Sequence, residues 1–188
     1  MREITASDIP TISTYDRMHF NFIRFVHETL YGLFVNPFEK LRAAGLERGE
    51  QVLEVGPGPG YFTIPAAEIV GDTGFVRAVD VNPAAVEYLK HKIAKHGLKN
   101  VEATLADATS TGLPASSIDV AFLFGVIQAF PKLDELLNEM YRVLKTSGKL
   151  SIQSHRSTTN FAEAVTSSGL FRFQTEENGV KIFEKISK

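Results

Sequence analysis

The chain has 188 residues, 44% hydrophobic and 22% charged, with 20 Lys and Arg against 22 Asp and Glu for a formal net charge of −2. That length suits one domain with a substantial core, and the balanced charge excludes the basic surface of a general nucleic-acid binder. The absence of cysteine excludes disulfides, thiolate metal sites and cysteine nucleophiles and fits a cytoplasmic protein, and neither a transmembrane apolar run nor a signal-peptide core occurs.

Residues 1–14 are polar and irregular. Residues 15–44 read as helix, with Phe22, Ile23, Phe25, Val26, Leu30, Leu33 and Phe34 on a broad apolar face. That face either packs on the rest of the domain, walls an apolar acceptor pocket or touches a membrane surface. Asn36-Pro37 breaks the helix, and Pro37 suits the start of a second short helix ending at Gly45. Gln51–Val55 is a short apolar strand, broken by Gly56-Pro57-Gly58-Pro59-Gly60, after which residues 61–70 look helical. Phe75–Val79 is a second strand ending at Asp80. Asn82 then caps a helix begun by Pro83 and closed by Gly97, with Val86, Leu89 and Ile93 on its apolar face. Val101–Leu105 is a third strand, ending before Asp107.

Asp119–Phe124 is nearly all apolar, as a strand buried on both faces should be. Leu133, Leu136, Leu137, Met140, Tyr141 and Leu144 mark one face of a further helix, and Lys149–Gln153 is a fifth strand. Residues 159–168 form a short helix. Phe171–Thr175 and Val180–Ile186 flank a turn at Glu176-Glu177-Asn178-Gly179. Alternating strands and helices predict an α/β fold: a doubly wound, mostly parallel sheet with helices on both faces and one antiparallel strand at the C-terminus. Residues 1–45 form an N-terminal helical lid segment and residues 46–188 the ligand-binding unit of one structural domain. Ligands bind beyond the carboxyl ends of such strands, where Glu54, Asp80 and Asp107 fall.

The glycine turn departs from the dinucleotide fingerprint, because its third glycine comes one residue early. Pro57 and Pro59 also remove two N–H donors that a pyrophosphate would need. A ligand carrying an adenosine without a phosphate suits this turn better. Asp80, 20 residues after Gly60, can accept from both ribose hydroxyls or serve as a helix cap. Asp107 can accept from an adenine amino group or be a loop acid.

At this point the chain resembles the class I S-adenosylmethionine-dependent methyltransferases. The resemblance rests on Val52-Leu53-Glu54-Val55-Gly56-Pro57-Gly58-Pro59-Gly60, Ala78-Val79-Asp80-Val81-Asn82-Pro83, Leu105-Ala106-Asp107-Ala108, Ser117-Ile118-Asp119-Val120-Ala121 and Tyr141-Arg142-Val143-Leu144-Lys145-Thr146-Ser147-Gly148. It implies a seven-stranded Rossmann-like fold, S-adenosylmethionine as cofactor and S-adenosylhomocysteine as product. Within the family the chain is similar to the ubiquinone and menaquinone C-methyltransferases, through Tyr15-Asp16-Arg17-Met18-His19 and Phe124-Gly125-Val126-Ile127-Gln128-Ala129-Phe130-Pro131. His19 stands where that group has Asn, and Thr146-Ser147-Gly148 where it has Pro-Gly-Gly. Residues 154–188 are too few for its substrate-capping insertions. The subgroup therefore supports the cofactor more than a quinone substrate.

The resemblance implies that Gly56, Gly58 and Gly60 pack against the methionine part of the cofactor and that Glu54 serves its ammonium, directly or through water. Asp80 would hold the ribose, Val81 would lie against the adenine, and Asp107 with the Ala108 amide would read the adenine edge. The Phe124 carbonyl would approach the ammonium, and Tyr15 would close over the cofactor or simply pack. No catalytic residue is identified. His19 and His155 are candidate bases, each also readable as a surface or structural histidine, and Arg156 could meet an acidic substrate or only solvent. The expected reaction is methyl transfer to a small, apolar molecule, with no metal and no nucleic acid. The alternative is a cofactor-binding regulatory or scaffold protein without catalysis. A nicotinamide reductase is disfavoured, because Tyr88 and Lys92 match its catalytic pair only by spacing and lie too early in the chain.

Overall fold

The computed structural model describes residues 35–154 and 161–187, together with Met18 and Phe20. Local chemistry sets most element boundaries. Asn36 Oδ1 accepts from the Phe38 and Glu39 amides and opens α1 (Pro37–Ala43). Asn82 does the same for α3 (Pro83–His96), which Gly97 closes in the left-handed conformation at φ 65°. Between them lie β1 (Gln51–Val55), α2 (Thr63–Val70) and β2 (Phe75–Asp80). Then follow β3 (Val101–Leu105), β4 (Ile118–Phe124), a 3-10 turn at Ile127–Ala129 and α4 (Leu133–Val143). The chain continues through β5 (Leu144–Gln153), α5 (Phe161–Ser167), β6 (Phe171–Glu177) and β7 (Val180–Lys185).

The seven strands form one sheet in the order β3-β2-β1-β4-β5-β7-β6. Strands β1 to β5 pair in parallel, and β7 runs antiparallel to both its neighbours. The expected doubly wound sheet is therefore present. Its antiparallel strand, last in the chain, sits between β5 and β6 rather than at the sheet edge. Helices α1, α2 and α3 cover one face through Leu41, Ala66, Val70 and Leu89, packed on Val52, Val76, Val120 and Phe122. Helices α4 and α5 cover the other through Leu136, Met140 and Val165, against Leu53, Leu123 and Ile152. The end of the N-terminal segment shares the first core, since Leu41, Ala43 and Ala44 are buried in it.

Three boundaries differ from the sequence expectation by two residues or more. Leu144 continues the apolar period of α4, yet it is the first residue of β5 and pairs with Ile118. Strand β5 thus begins before Lys149, with an irregularity between Ile118 and Val120. The hairpin turn shrinks to Asn178-Gly179 with φ of 50° and 73°, a two-residue turn whose twist matches the strands. The start of α2 moves from residue 61 to Thr63, because Gly60 closes a turn through its amide onto the Pro57 carbonyl. Tyr15, His19, His155, Arg156 and the aromatic face of residues 22–34 lie outside the described residues.

No helix joins β3 to β4; an irregular loop over residues 106–117 makes that link. An ionic clamp holds the loop. Glu139 Oε1 on α4 accepts from the Thr111 amide and hydroxyl, and Arg142 donates to both Glu139 oxygens and to the Leu113 carbonyl. The Arg142 hydrogen bonds, aided by Thr111, hold the Glu139 carboxyl down at about 2. A depressed folded value stabilises above the unfolded value of 4.5 and is lost as pH falls from there towards 2. Arg142 is partly exposed, so solvent screening reduces the effect. Glu139→Gln is expected to cost about 2 kcal/mol at pH 7 in denaturant titrations. Its stability should also fall less steeply than wild type between pH 4.5 and 2; parallel profiles would remove the clamp from acid unfolding.

Candidate functional site

The chain leaves β1 towards β2 and β3, then returns to β4 on the other side of β1. The carboxyl ends of β1 and β4 therefore diverge into a crevice at the switch point. Gly56-Pro57-Gly58-Pro59-Gly60 turns above β1, and Gly125 and Val126 leave β4 beside it. Gly56 (φ 69°) and Gly60 (φ 72°) occupy the left-handed region. A Cβ on Gly56 would lie 2.7 Å from Val126 Cγ1, and one on Gly60 would lie 2.5 Å from Leu89 Cδ1. These two glycines are thus needed for packing as well as for backbone conformation.

Every amide hydrogen of the turn is already engaged. The Gly56 amide donates to the Val79 carbonyl, Gly58 to Asp80 Oδ2 at 3.4 Å and Gly60 to the Pro57 carbonyl, while the prolines have none. Lys92 Nζ donates to the Pro59 carbonyl at 3.0 Å and to the Gly60 carbonyl at 3.4 Å, pinning the turn from α3. The residue that matched a reductase lysine by spacing is therefore a strut. A phosphate would find no donor in this turn.

Two carboxylates flank the turn. Glu54 is 3% exposed, and its Oε2 has no hydrogen-bond partner. Burial pushes its carboxyl up to about 8; the Thr63 hydroxyl eases that shift, Asp80 adds to it and Lys92 opposes it. Thr63, fully buried at the start of α2, makes no hydrogen bond of full geometry through its own hydroxyl. Asp80 is half-buried and receives the Asn82 amide on Oδ1 at 2.8 Å as well as Gly58 on Oδ2. Burial raises its carboxyl, and these amides oppose the rise. A carboxylate offers about four lone-pair positions, so Asp80 keeps capacity for further donors.

Beyond Asp80 the surface is apolar: Val81 is 67% exposed and Leu105 38%. Asp107 is exposed, unlike the other two acids. Its Oδ1 accepts the Thr109 amide and hydroxyl, which holds its carboxyl low, and Ala108 beside it is buried. On the β4 side, the half-buried Phe124 ring stands edge-on to Phe62 at 4.9 Å and tilted on Phe122 at 5.0 Å. The arrangement can hold a buried cation at Glu54, hydroxyls at Asp80 and a flat apolar group on Val81. Sequence reasoning missed Thr63 and Gln153; a polar residue ending an apolar strand was the signal for the latter. Among the described residues no cluster of acidic and histidine side chains could hold a metal, and no helix is long and apolar enough to cross a membrane.

A methyltransferase-domain family matches residues 46–184. The aklanonic acid methyltransferase DauC of Streptomyces sp. (strain C5) is 30% identical over 153 residues, covering 78% of this chain and 65% of that protein. The ubiquinone/menaquinone biosynthesis C-methyltransferase UbiE of Escherichia coli is 33% identical over 111 residues, covering 58% of this chain and 44% of that protein. The chain thus spans less than two thirds of the length of either relative. A SAM-dependent methyltransferase from Aquifex aeolicus shares the fold with a TM-score of 0.76 at 24% identity, over 90% of this chain and 98% of that one.

Proposed function

Because the chain belongs to the methyltransferase-domain family, we propose that it transfers the methyl group of S-adenosylmethionine to a small, apolar organic acceptor. The observation that carries this reading is the buried Glu54 carboxyl with its unpartnered oxygen, beside a glycine turn with no amide left for a phosphate. A buried unpaired acid is costly unless a partner arrives, and a ligand ammonium is such a partner.

On this reading Glu54 takes the methionine ammonium, directly or through a water, with the Phe124 carbonyl approaching it from β4. Gly56, Gly58 and Gly60 give the methionine chain a bare backbone to lie on. Asp80 accepts the ribose hydroxyls, Val81 backs the adenine, and Asp107 Oδ2 with the Ala108 amide reads the adenine edge. When bound, the cofactor supplies a methyl group already activated by its sulfonium. The protein's part is alignment: the fixed turn and the Phe124 wall hold the reacting groups in line and exclude water. A base is needed only where the acceptor must lose a proton.

Calorimetric titration with S-adenosylmethionine, S-adenosylhomocysteine and, as control, NADPH tests the reading. Binding of the first two and none of the third is the expected result. Binding of NADPH, or of none of them, would overturn it. Binding without methyl transfer across an acceptor panel would favour the regulatory alternative.

A further inference from the structure

We infer that Gln153, at the carboxyl end of β5, is a positioning residue that holds a hydroxyl group of the methyl acceptor. The inference rests on the methyl-transfer reading. Gln153 is 6% exposed and its Oε1 has no partner. The register sets Glu54 beside Phe122 and Phe122 beside Ser151, while Phe124 pairs with Gln153. Side chains alternate along strands, so Glu54, Phe124 and Gln153 share one face of the sheet. Gln153 lies two strands from β1, roughly 10 Å across the sheet, one layer nearer the open end. An acceptor held there lies beside Phe124, on the face of the sheet that carries Glu54.

The preceding polar side chains on that face of β5 are satisfied: Ser151 donates to the Ala44 carbonyl at 2.7 Å and Lys149 to the Gly45 carbonyl at 3.3 Å. The adjoining chain is also tied down, since Gln128 Nε2 donates to Ser154 Oγ and joins the turn after β4 to the end of β5. Unlike Ser151, Gln153 is left with a buried unpaired oxygen, and native proteins seldom tolerate one without a functional reason. A carboxamide is neutral and carries both donor and acceptor ends, which a half-turn of the side chain exchanges. The unpaired Oε1 is an acceptor, so it fits a neutral donor on the methyl acceptor, such as a hydroxyl. The fixed Phe124 ring beside it favours a flat, apolar body for the molecule that carries that hydroxyl.

The test uses the full chain saturated with S-adenosylhomocysteine, with 2-naphthol and 2-methoxynaphthalene as matched probes. The wild-type protein is expected to bind 2-naphthol about fivefold more tightly, the worth of one hydrogen bond. Gln153→Leu should bind the two probes equally and keep wild-type affinity for S-adenosylhomocysteine. Its ligand-free melting temperature should equal or exceed wild type, because an unsatisfied buried amide has been removed. Gln153→Met, closer in shape, gives the same comparison if the leucine variant does not fold. A retained preference in either folded variant, no preference in wild type, or melting of Gln153→Met well below wild type would overturn the assignment. Failure of wild type to bind S-adenosylhomocysteine would instead overturn the methyl-transfer reading, and this inference with it.

Discussion

Titrating S-adenosylmethionine into the protein at pH 7 is expected to release protons into the buffer. Burial holds the Glu54 carboxyl up at about 8, so the side chain is mostly protonated in the ligand-free protein. An ammonium placed against it favours the ionised form, so the proton leaves Glu54 on binding. Affinity should therefore rise from pH 6 towards 8 and fall again where the ligand ammonium loses its own proton. The binding enthalpy should change with the ionisation enthalpy of the buffer, and Glu54→Gln should abolish that dependence. The same variant should bind roughly ten- to a hundredfold more weakly, because a charge-assisted contact is lost. Identical enthalpies in all buffers would remove Glu54 from the ammonium site.

The sign for stability runs the other way. A carboxyl whose folded value is raised stabilises the protein fully only below its unfolded value of 4.5, and that contribution is lost as pH rises towards 8. Glu54→Gln should therefore melt higher than wild type at pH 8 without cofactor, and differ little at pH 4. One residue would then weaken binding and strengthen the empty fold, as expected of a site that stores an unpaired acid for its ligand.

Asp80→Ala is expected to weaken cofactor binding by about tenfold or more, since it removes the paired acceptor proposed for the ribose. Asp80 also receives the Gly58 and Asn82 amides, so part of any loss could come from a displaced turn. The 2′-deoxy analogue of S-adenosylhomocysteine separates the two causes. Wild type should prefer the natural ligand over that analogue, and Asp80→Ala should bind both alike. A preference that survives in the variant would assign the ribose elsewhere and leave Asp80 as a brace for the glycine turn.

Much of the architecture is legible in the chain because the signals are local. Asn36-Pro37 and Asn82-Pro83 start helices through side-chain caps only two or three residues long in reach, and Gly97 ends one through its own backbone freedom. The apolar runs of β1 and β4 announce strands covered on both faces. Leu144 shows where locality fails: it fits the helix period, but Ile118, far back in the chain, claims it for a strand. The order of the last two strands is a similar case. A hairpin is visible in Asn178-Gly179, but not which of its strands docks against β5.

The candidate site divides the same way. By itself the sequence determined the glycine turn, the acids that end β1 and β2, and their place at the open end of a parallel sheet, because these follow from spacing within one strand-turn-helix unit. Only the tertiary structure decided what those groups still have to offer a ligand. Val79, distant in sequence, takes the Gly56 amide, and Asp80 takes that of Gly58. Val126 and Leu89 fill the space that two of the glycines leave. Glu54 and Gln153 are left buried with unpaired oxygens. Hydrogen-bond partners and burial are set by chain segments far apart in sequence, so the remaining valences of a site exist only once the fold has closed around it.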